Sequence, residues 1–73
     1  MPPLPVLSGK ELVALFEKAG WEFTRQRGSH MILVKAGEIA TLSVPNHKEI
    51  AKGTLRSLVR ASGQTMDEFL RLR

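Results

Sequence analysis

The fold of this chain is decided by residues 21–35, which read WEFTRQRGSHMILVK. Trp21 and Phe23 alternate with polar residues, which is the two-residue period of a β-strand with one buried face. The pair Gly28-Ser29 then supplies a tight turn, and the mostly apolar run His30–Lys35 follows it. The stretch predicts two antiparallel strands joined by this turn, with both aromatic side chains in the core.

A third strand is predicted directly after the second one. Ala36-Gly37 has the composition of another short turn, and Ile39–Val44 is a third run rich in β-branched residues. Pro45 closes that run, because proline cannot donate a hydrogen bond to a strand ladder. Three runs joined by two short glycine turns predict an antiparallel meander.

A helix is predicted before the strands. Ser8 and Glu11 have the spacing of a capping box, in which each side chain accepts a hydrogen bond from the other residue's backbone N–H. Apolar residues then recur at helical spacing, and Gly20 ends the pattern. The prediction is an amphipathic helix over about Gly9 to Ala19.

Two more helices are predicted after the strands. Asn46-His47 can cap the apolar segment that ends at Ala61, and Gly53 interrupts its start, so a regular helix is expected from about Thr54. Thr65 and Glu68 form a second capping box, which predicts a short terminal helix.

The predicted element order gives an α+β fold with two layers. A three-stranded antiparallel sheet is covered on one face by two helices, in the order α-β-β-β-α, and a short C-terminal helix follows. Residues 1–73 are expected to form a single domain, in which residues 1–7 are an extended, proline-rich lead-in. That lead-in resembles neither a signal peptide nor a membrane span, so we expect a cytoplasmic protein without membrane contact.

Composition restricts the chemistry. The chain has 73 residues, no cysteine and a formal net charge of +4, from 11 Lys plus Arg against 7 Asp plus Glu. A domain of this size has little room for a deep cavity, so an open surface and a polymeric substrate are favoured. The positive charge favours polyanionic partners such as RNA, although it could also serve only solubility.

The strongest chemical candidate is His30 with the cationic and small residues before it. Imidazole can take and give a proton near neutral pH, and RNA cleavage needs a base for the 2′-hydroxyl. Guanidinium groups bind phosphate in a forked geometry, and a glycine lets the backbone approach closely. The groups that could contact phosphate here are Arg25, Arg27, Gly28 and Ser29. A histidine at the start of a strand can equally be a structural residue.

The other candidates are weaker. His47 fits a role in the start of the following helix better than a role in catalysis. Lys52 and Arg56 share a helix face that could track a phosphate backbone or could simply be solvated. The two histidines and the carboxylates show no ligand spacing, so neither a metal nor another cofactor is expected.

Several short motifs together resemble those of the HicA toxins, the YcfA-like family. They occur in the family's order over nearly the whole chain, from about Ser8 to Leu70. The motifs are Ser8-Gly9-Lys10-Glu11-Leu12, Ala19-Gly20-Trp21, Gly28-Ser29-His30, Val44-Pro45-Asn46-His47, Lys52-Gly53-Thr54-Leu55-Arg56, Gly63 and Glu68-Phe69.

The resemblance implies a fold like a double-stranded RNA-binding domain and a metal-independent endoribonuclease that cleaves mRNA to arrest translation. It implies a HicB-type antitoxin that masks the site. The family's catalytic histidine falls on His30 and its glycine on Gly28, while His47 could support the structure or contact the substrate. Many family members carry basic or histidine residues where this chain has Met31, so phosphate contacts should depend more on Lys35 and the two arginines before the turn.

Two other functions fit the residues. One is a non-catalytic RNA-binding module with the same fold. The other is a protein whose basic surface serves only to bind an acidic antitoxin. The residues also leave open which group is the second proton-transfer group, with His47, Lys35 and water as candidates. They leave open, too, whether the third strand's free edge pairs with a second copy in a homodimer or with the antitoxin.

Overall fold

The computed structural model describes residues 4–73, so the first three residues of the expected lead-in lie outside the described part. Residues 4–8 precede the first helix without forming a helix or strand, and Leu7 is buried. No helix within residues 4–73 is long and apolar enough to cross a membrane. The elements are α1 (Gly9–Lys18), β1 (Glu22–Arg27), β2 (His30–Val34), β3 (Leu42–Pro45), α2 (Lys52–Ala61) and α3 (Met66–Leu70).

The predicted α+β architecture is confirmed. The strands form one antiparallel sheet in the order β1-β2-β3, so β2 is the central strand. Met31 and Leu33 of β2 are buried together with Leu42 and Val44 of β3. Residues of the three helices complete this single core, and the Phe16 and Phe69 rings lie 4.8 Å apart between centroids. The helices therefore cover one face of the sheet.

Both predicted capping boxes are present. Ser8 and Glu11 exchange hydrogen bonds of 2.9 and 3.1 Å at the start of α1, and Thr65 and Glu68 do the same for α3 at 2.8 and 3.1 Å. The hydrogen bonds from the backbone and side chain of Ser8 lower the pKa of Glu11, and those from Thr65 lower the pKa of Glu68. Each of these hydrogen-bonded carboxylates stabilises the folded state at a pH above the ordinary glutamate pKa. This stabilisation is lost as the pH falls through the lowered pKa of the folded state.

The third strand was predicted to begin too early. It begins at Leu42, and Ile39 is fully exposed in the preceding loop. A two-residue turn at Ala36-Gly37 would have placed Ala40 opposite Leu33, whereas Leu42 lies opposite Leu33 in the structure. A shift of two residues keeps each side chain on its face of the sheet and brings larger apolar residues into the core, which explains the longer loop.

The start of α2 also differs from the prediction. The helix begins at Lys52, two residues before Thr54, and its N-cap is Ala51 without a capping side chain. Asn46-His47 does not cap it. The backbone groups of these two residues instead bind other segments, since Asn46 N–H donates to the Ser29 carbonyl at 2.6 Å.

One of the two aromatic residues expected in the core is only partly covered. Trp21 is buried, with 3% of its surface exposed, but Phe23 is 41% exposed. Phe23 pairs with the buried Leu33, so its side chain faces the helices. It lies on β1, an edge strand of the sheet, where the helix layer covers it only in part.

Gly9 allows α1 to begin in backbone contact with the segment after β3. A Cβ atom at this position would overlap the Pro45 carbonyl oxygen and lie 3.1 Å from both Asn46 Cα and Met31 Cε. The Gly9 N–H donates to the His47 carbonyl at 2.9 Å. The start of α1 and the end of β3 are therefore held together at one end of the molecule.

We predict that Gly9→Ala lowers the free energy of unfolding by about 1–3 kcal/mol, because the added methyl group forces the two backbones apart. Gly53→Ala is the matched control, since a Cβ in that helix turn meets nothing within 4 Å. The control should be neutral or should raise stability by up to about 1 kcal/mol. Urea unfolding followed by Trp21 fluorescence measures both, and a Gly9→Ala protein as stable as wild type would contradict the close contact.

Candidate active site

His30 is the first residue of the central strand and is exposed. Side chains alternate between the two faces of a strand, and the neighbouring Met31 points into the core. His30 therefore lies on the face turned away from the helices. We call this surface the open face, and its members follow from the strand register: Arg25, Arg27, His30, Ile32, Ser43 and Pro45.

The turn at Gly28-Ser29 sets the residue opposite His30. Gly28 has φ +57°, and no other residue of the turn has a positive φ, which is the pattern of a type II′ hairpin turn. The Gln26 side-chain amide donates to the Gly28 carbonyl at 3.0 Å and braces the turn. As a result, Arg27 is paired directly with His30 across β1 and β2.

A β-bulge brings the second arginine to the same face. Phe23 pairs with Leu33, but Arg25 pairs with Ile32, so Thr24 is an extra residue in β1. Without it, the alternation that turns Phe23 toward the helices would turn Arg25 and Arg27 the same way. The Thr24 hydroxyl donates to the Ile32 carbonyl at 3.1 Å and holds the bulge.

The segment after β3 brings His47 to the same end of the sheet. Pro45 lies directly opposite His30, and the bond from Asn46 N–H to the Ser29 carbonyl continues the pairing by one residue. His47 follows and is exposed. Its carbonyl accepts the Gly9 N–H, so the start of α1, including the exposed Lys10, lies at this end as well. Lys10 is not among the residues predicted from the sequence, because only the contact between Gly9 and His47 brings it to this end of the sheet.

Three of the residues predicted to contact the RNA lie away from His30. Lys35 follows the far end of β2, about 17 Å along the strand from His30 at roughly 3.4 Å per residue. Its side chain lies beside Gly20. Lys52 and Arg56 are exposed on one flank of α2. At about 100° per residue, that flank is nearly opposite the flank of α2 that borders Ser43 of the edge strand β3 across a shallow groove. The groove is lined by Ser43, Ala51, Gly53, Thr54, Ser57, Leu58 and Ala61.

The polar side chains around His30 are available to a ligand. Among the hydrogen bonds of residues 4–73, none involves the side chain of Arg25, Arg27, His30 or His47. All four residues are exposed. Within the same described range, no three His, Cys, Asp or Glu residues are grouped so that they could hold a metal ion.

Comparison with known proteins identifies the family. The family model described as the HicA toxin of bacterial toxin-antitoxin systems matches residues 9–64, which is more than half of the chain and includes the whole open face. This chain belongs to the HicA toxin family. A solved chain from a toxin-antitoxin complex from Streptococcus pneumoniae is 34% identical to it, with a TM-score of 0.71. The similarity covers 78% of this chain and 97% of that one. Among curated proteins, no significant match is found.

The region matched by the HicA family model contains both histidines. In the structure, His30 and His47 lie at the end of the sheet where β2 begins and β3 finishes. In this chain both histidines and Arg27 are exposed, so a large ligand can reach these side chains without any opening motion.

The bulge in this HicA chain can be tested by substitution. Thr24→Val keeps the shape of the side chain but removes the hydrogen bond to Ile32, so we expect a loss of about 1 kcal/mol in the free energy of unfolding. Thr41→Val, in the exposed loop before β3, should change it by less than about 0.5 kcal/mol. Thermal unfolding measures both, and equal stability of the two variants would show that the Thr24 hydroxyl does not hold the bulge.

Proposed function

We propose that this HicA-family chain is the toxin of a toxin–antitoxin pair and acts as an endoribonuclease, cleaving mRNA without a metal ion and so arresting translation. His30 serves as the general acid–base group. One observation carries this proposal: an exposed histidine on the uncovered face of the sheet lies directly opposite an exposed arginine, Arg27. A proton acceptor and a phosphate-binding cation are thereby neighbours on a surface open to a polymer.

The chemistry follows from these neighbours. Neutral imidazole can remove the proton from a ribose 2′-hydroxyl, and the resulting oxygen attacks the adjacent phosphorus. Negative charge then builds up on the non-bridging oxygens. A guanidinium group positioned in advance stabilises that charge, and its forked donors match two phosphate oxygens. Arg27 would stabilise the reacting phosphate in this way, with Arg25 holding a neighbouring phosphate along the chain.

The partner that restrains the toxin is proposed to be an antitoxin of the HicB type. Membership of a toxin–antitoxin family supports a protein partner, and the Streptococcus pneumoniae relative was solved as a toxin-antitoxin complex. The net charge of +4 favours an acidic surface on that partner. An antitoxin that covered the open face would exclude RNA from His30.

Substitution of His30 is the decisive test. His30→Ala should abolish cleavage of a long unstructured RNA in EDTA, because no base remains at the 2′-hydroxyl, while the exposed position leaves the fold intact. The measurement is gel analysis of RNA incubated with each protein, with circular dichroism spectra of both as the control for folding. Undiminished cleavage by a folded His30→Ala protein would refute this role.

The same experiment separates the two other functions. Binding of RNA without cleavage, with or without added divalent metal, would identify a non-catalytic RNA-binding module. The arginines of the open face would also serve such a module, because they can bind phosphates. No affinity for RNA at low salt would leave only a surface for the antitoxin. Cleavage that needed a divalent metal would refute the metal-independent step.

The contribution of the open face to binding can be measured without cleavage on 2′-O-methyl RNA, which lacks the attacking hydroxyl. Arg27→Ala should weaken binding about tenfold, since one charge-assisted contact is lost. The slope of log affinity against log salt should fall by about 0.7. Arg71→Ala is the matched control, because Arg71 is an equally exposed arginine that lies after α3. Equal losses in the two variants would mean that RNA binds through overall charge and not through the open face.

A further inference from the structure

We infer that His47 is the second catalytic residue, the general acid that protonates the leaving 5′-oxygen while His30 acts as the base. The inference rests on the proposed ribonuclease function and assigns the second proton transfer, which the sequence left open. It is carried by the position of His47 relative to His30 in the strand pairing.

Two backbone contacts set that position. Pro45 is directly opposite His30, and the 2.6 Å bond from Asn46 N–H to the Ser29 carbonyl shows that the chain continues alongside β2 for one more residue. His47 is therefore two residues beyond the partner of His30. Continued by one residue past its last bond at Asn46, the pairing would place His47 diagonally from His30, and in a regular antiparallel pair such diagonal neighbours have Cα atoms roughly 7–8 Å apart. Two imidazoles at such a separation can flank one phosphodiester.

A third contact fixes the backbone of His47 without using its side chain. The Gly9 N–H donates to the His47 carbonyl at 2.9 Å, and Ile50 N–H donates to the Leu7 carbonyl at 2.8 Å, so the segment around His47 is bound to the chain that leads into α1. The side chain itself is exposed and hydrogen-bonded to nothing within residues 4–73. A histidine held by its backbone with a free imidazole is suited to proton transfer.

The competing candidates are less well placed. Lys35 follows the opposite end of β2, and Glu22 lies at that end too, since it pairs with Val34. The carboxylate of Glu11 is engaged in the capping box with Ser8. Arginine does not give up its proton at neutral pH, so Arg27 can stabilise charge but cannot act as the acid. Lys10 and Lys48 also lie at this end, but a primary amine holds its proton more tightly than an imidazole and is less suited to donating it to a leaving oxygen near neutral pH.

The step balances with two imidazoles. His30 Nδ1 or Nε2 accepts the 2′-hydroxyl proton, the 2′-oxygen forms a bond to phosphorus, and the bond from phosphorus to the 5′-oxygen breaks. The electron pair of that bond goes to the 5′-oxygen, which takes a proton from the His47 imidazolium. The products are a 2′,3′-cyclic phosphate and a 5′-hydroxyl, and the two histidines exchange protonation states, which water then restores.

A substrate with a better leaving group isolates the role of the acid. In an RNA oligonucleotide with one 5′-bridging phosphorothiolate linkage, the leaving thiolate needs no proton. His47→Ala should cleave the ordinary linkage at least about 100-fold more slowly than wild type, the usual contribution of a general acid, but should cleave the sulfur linkage at a rate within several-fold of wild type. His30→Ala should lose both reactions.

Lys48→Ala is the matched control, because it removes the neighbouring exposed cation and leaves both imidazoles in place. It should keep the wild-type ratio of the two rates, and circular dichroism should show all variants folded. Equal losses on both linkages in His47→Ala would indicate binding or structure and would overturn the assignment, as would no loss on either. Failure of the wild-type protein to cleave either linkage would instead overturn the nuclease itself.

Discussion

One extra residue in the first strand determines which side of this sheet carries charge. Phe23 must face the helices, because Leu33 opposite it is fully buried, and strict alternation from Phe23 would turn the next two arginines toward the helices as well. The helix layer covers β1 only in part, and all six residues of this strand are exposed, so the bulge matters for where the charge lies and not for what is buried. By shifting the alternation at Thr24, it places Arg25 and Arg27 on the open face together with His30.

The side chains of the central strand alternate between the core, which stabilises the fold, and the open face, where we propose that the chemistry takes place. The side chains of Met31 and Leu33 fill the core, while those of His30 and Ile32 lie on the opposite face. Residues 4–73 contain one sheet, so the alternation of side chains along β2 has to serve both the core and the exposed surface. Substitutions on the open face can accordingly change activity while the core stays intact, and this makes the proposed roles separable from folding.

The loop after β3 connects the two layers at the end that carries the histidines. The contact between Gly9 and Pro45 holds the start of α1 against this loop, and the bond to the His47 carbonyl fixes its backbone. A proton-transfer group needs a fixed position more than it needs burial, because a displacement of about 1 Å can cost roughly a hundredfold in rate. The helix layer thus bears on the proposed reaction through a backbone contact, although most of its residues lie on the other side of the sheet.

The sequence by itself determined α1, α3 and the glycine turn, because these depend on groups only a few residues apart, whereas the start of α2 was predicted two residues late. The capping boxes of Ser8 and Thr65 formed as predicted. The neighbours of His30 and the family motifs made it the candidate base, which stays a prediction. Only the tertiary structure decided the bulge at Thr24, the start of β3 at Leu42 and the separation of Lys35 from His47. Each of these depends on which residues of distant strands lie opposite each other. That pairing is set by how much apolar surface the whole core can bury, and no local pattern contains that information.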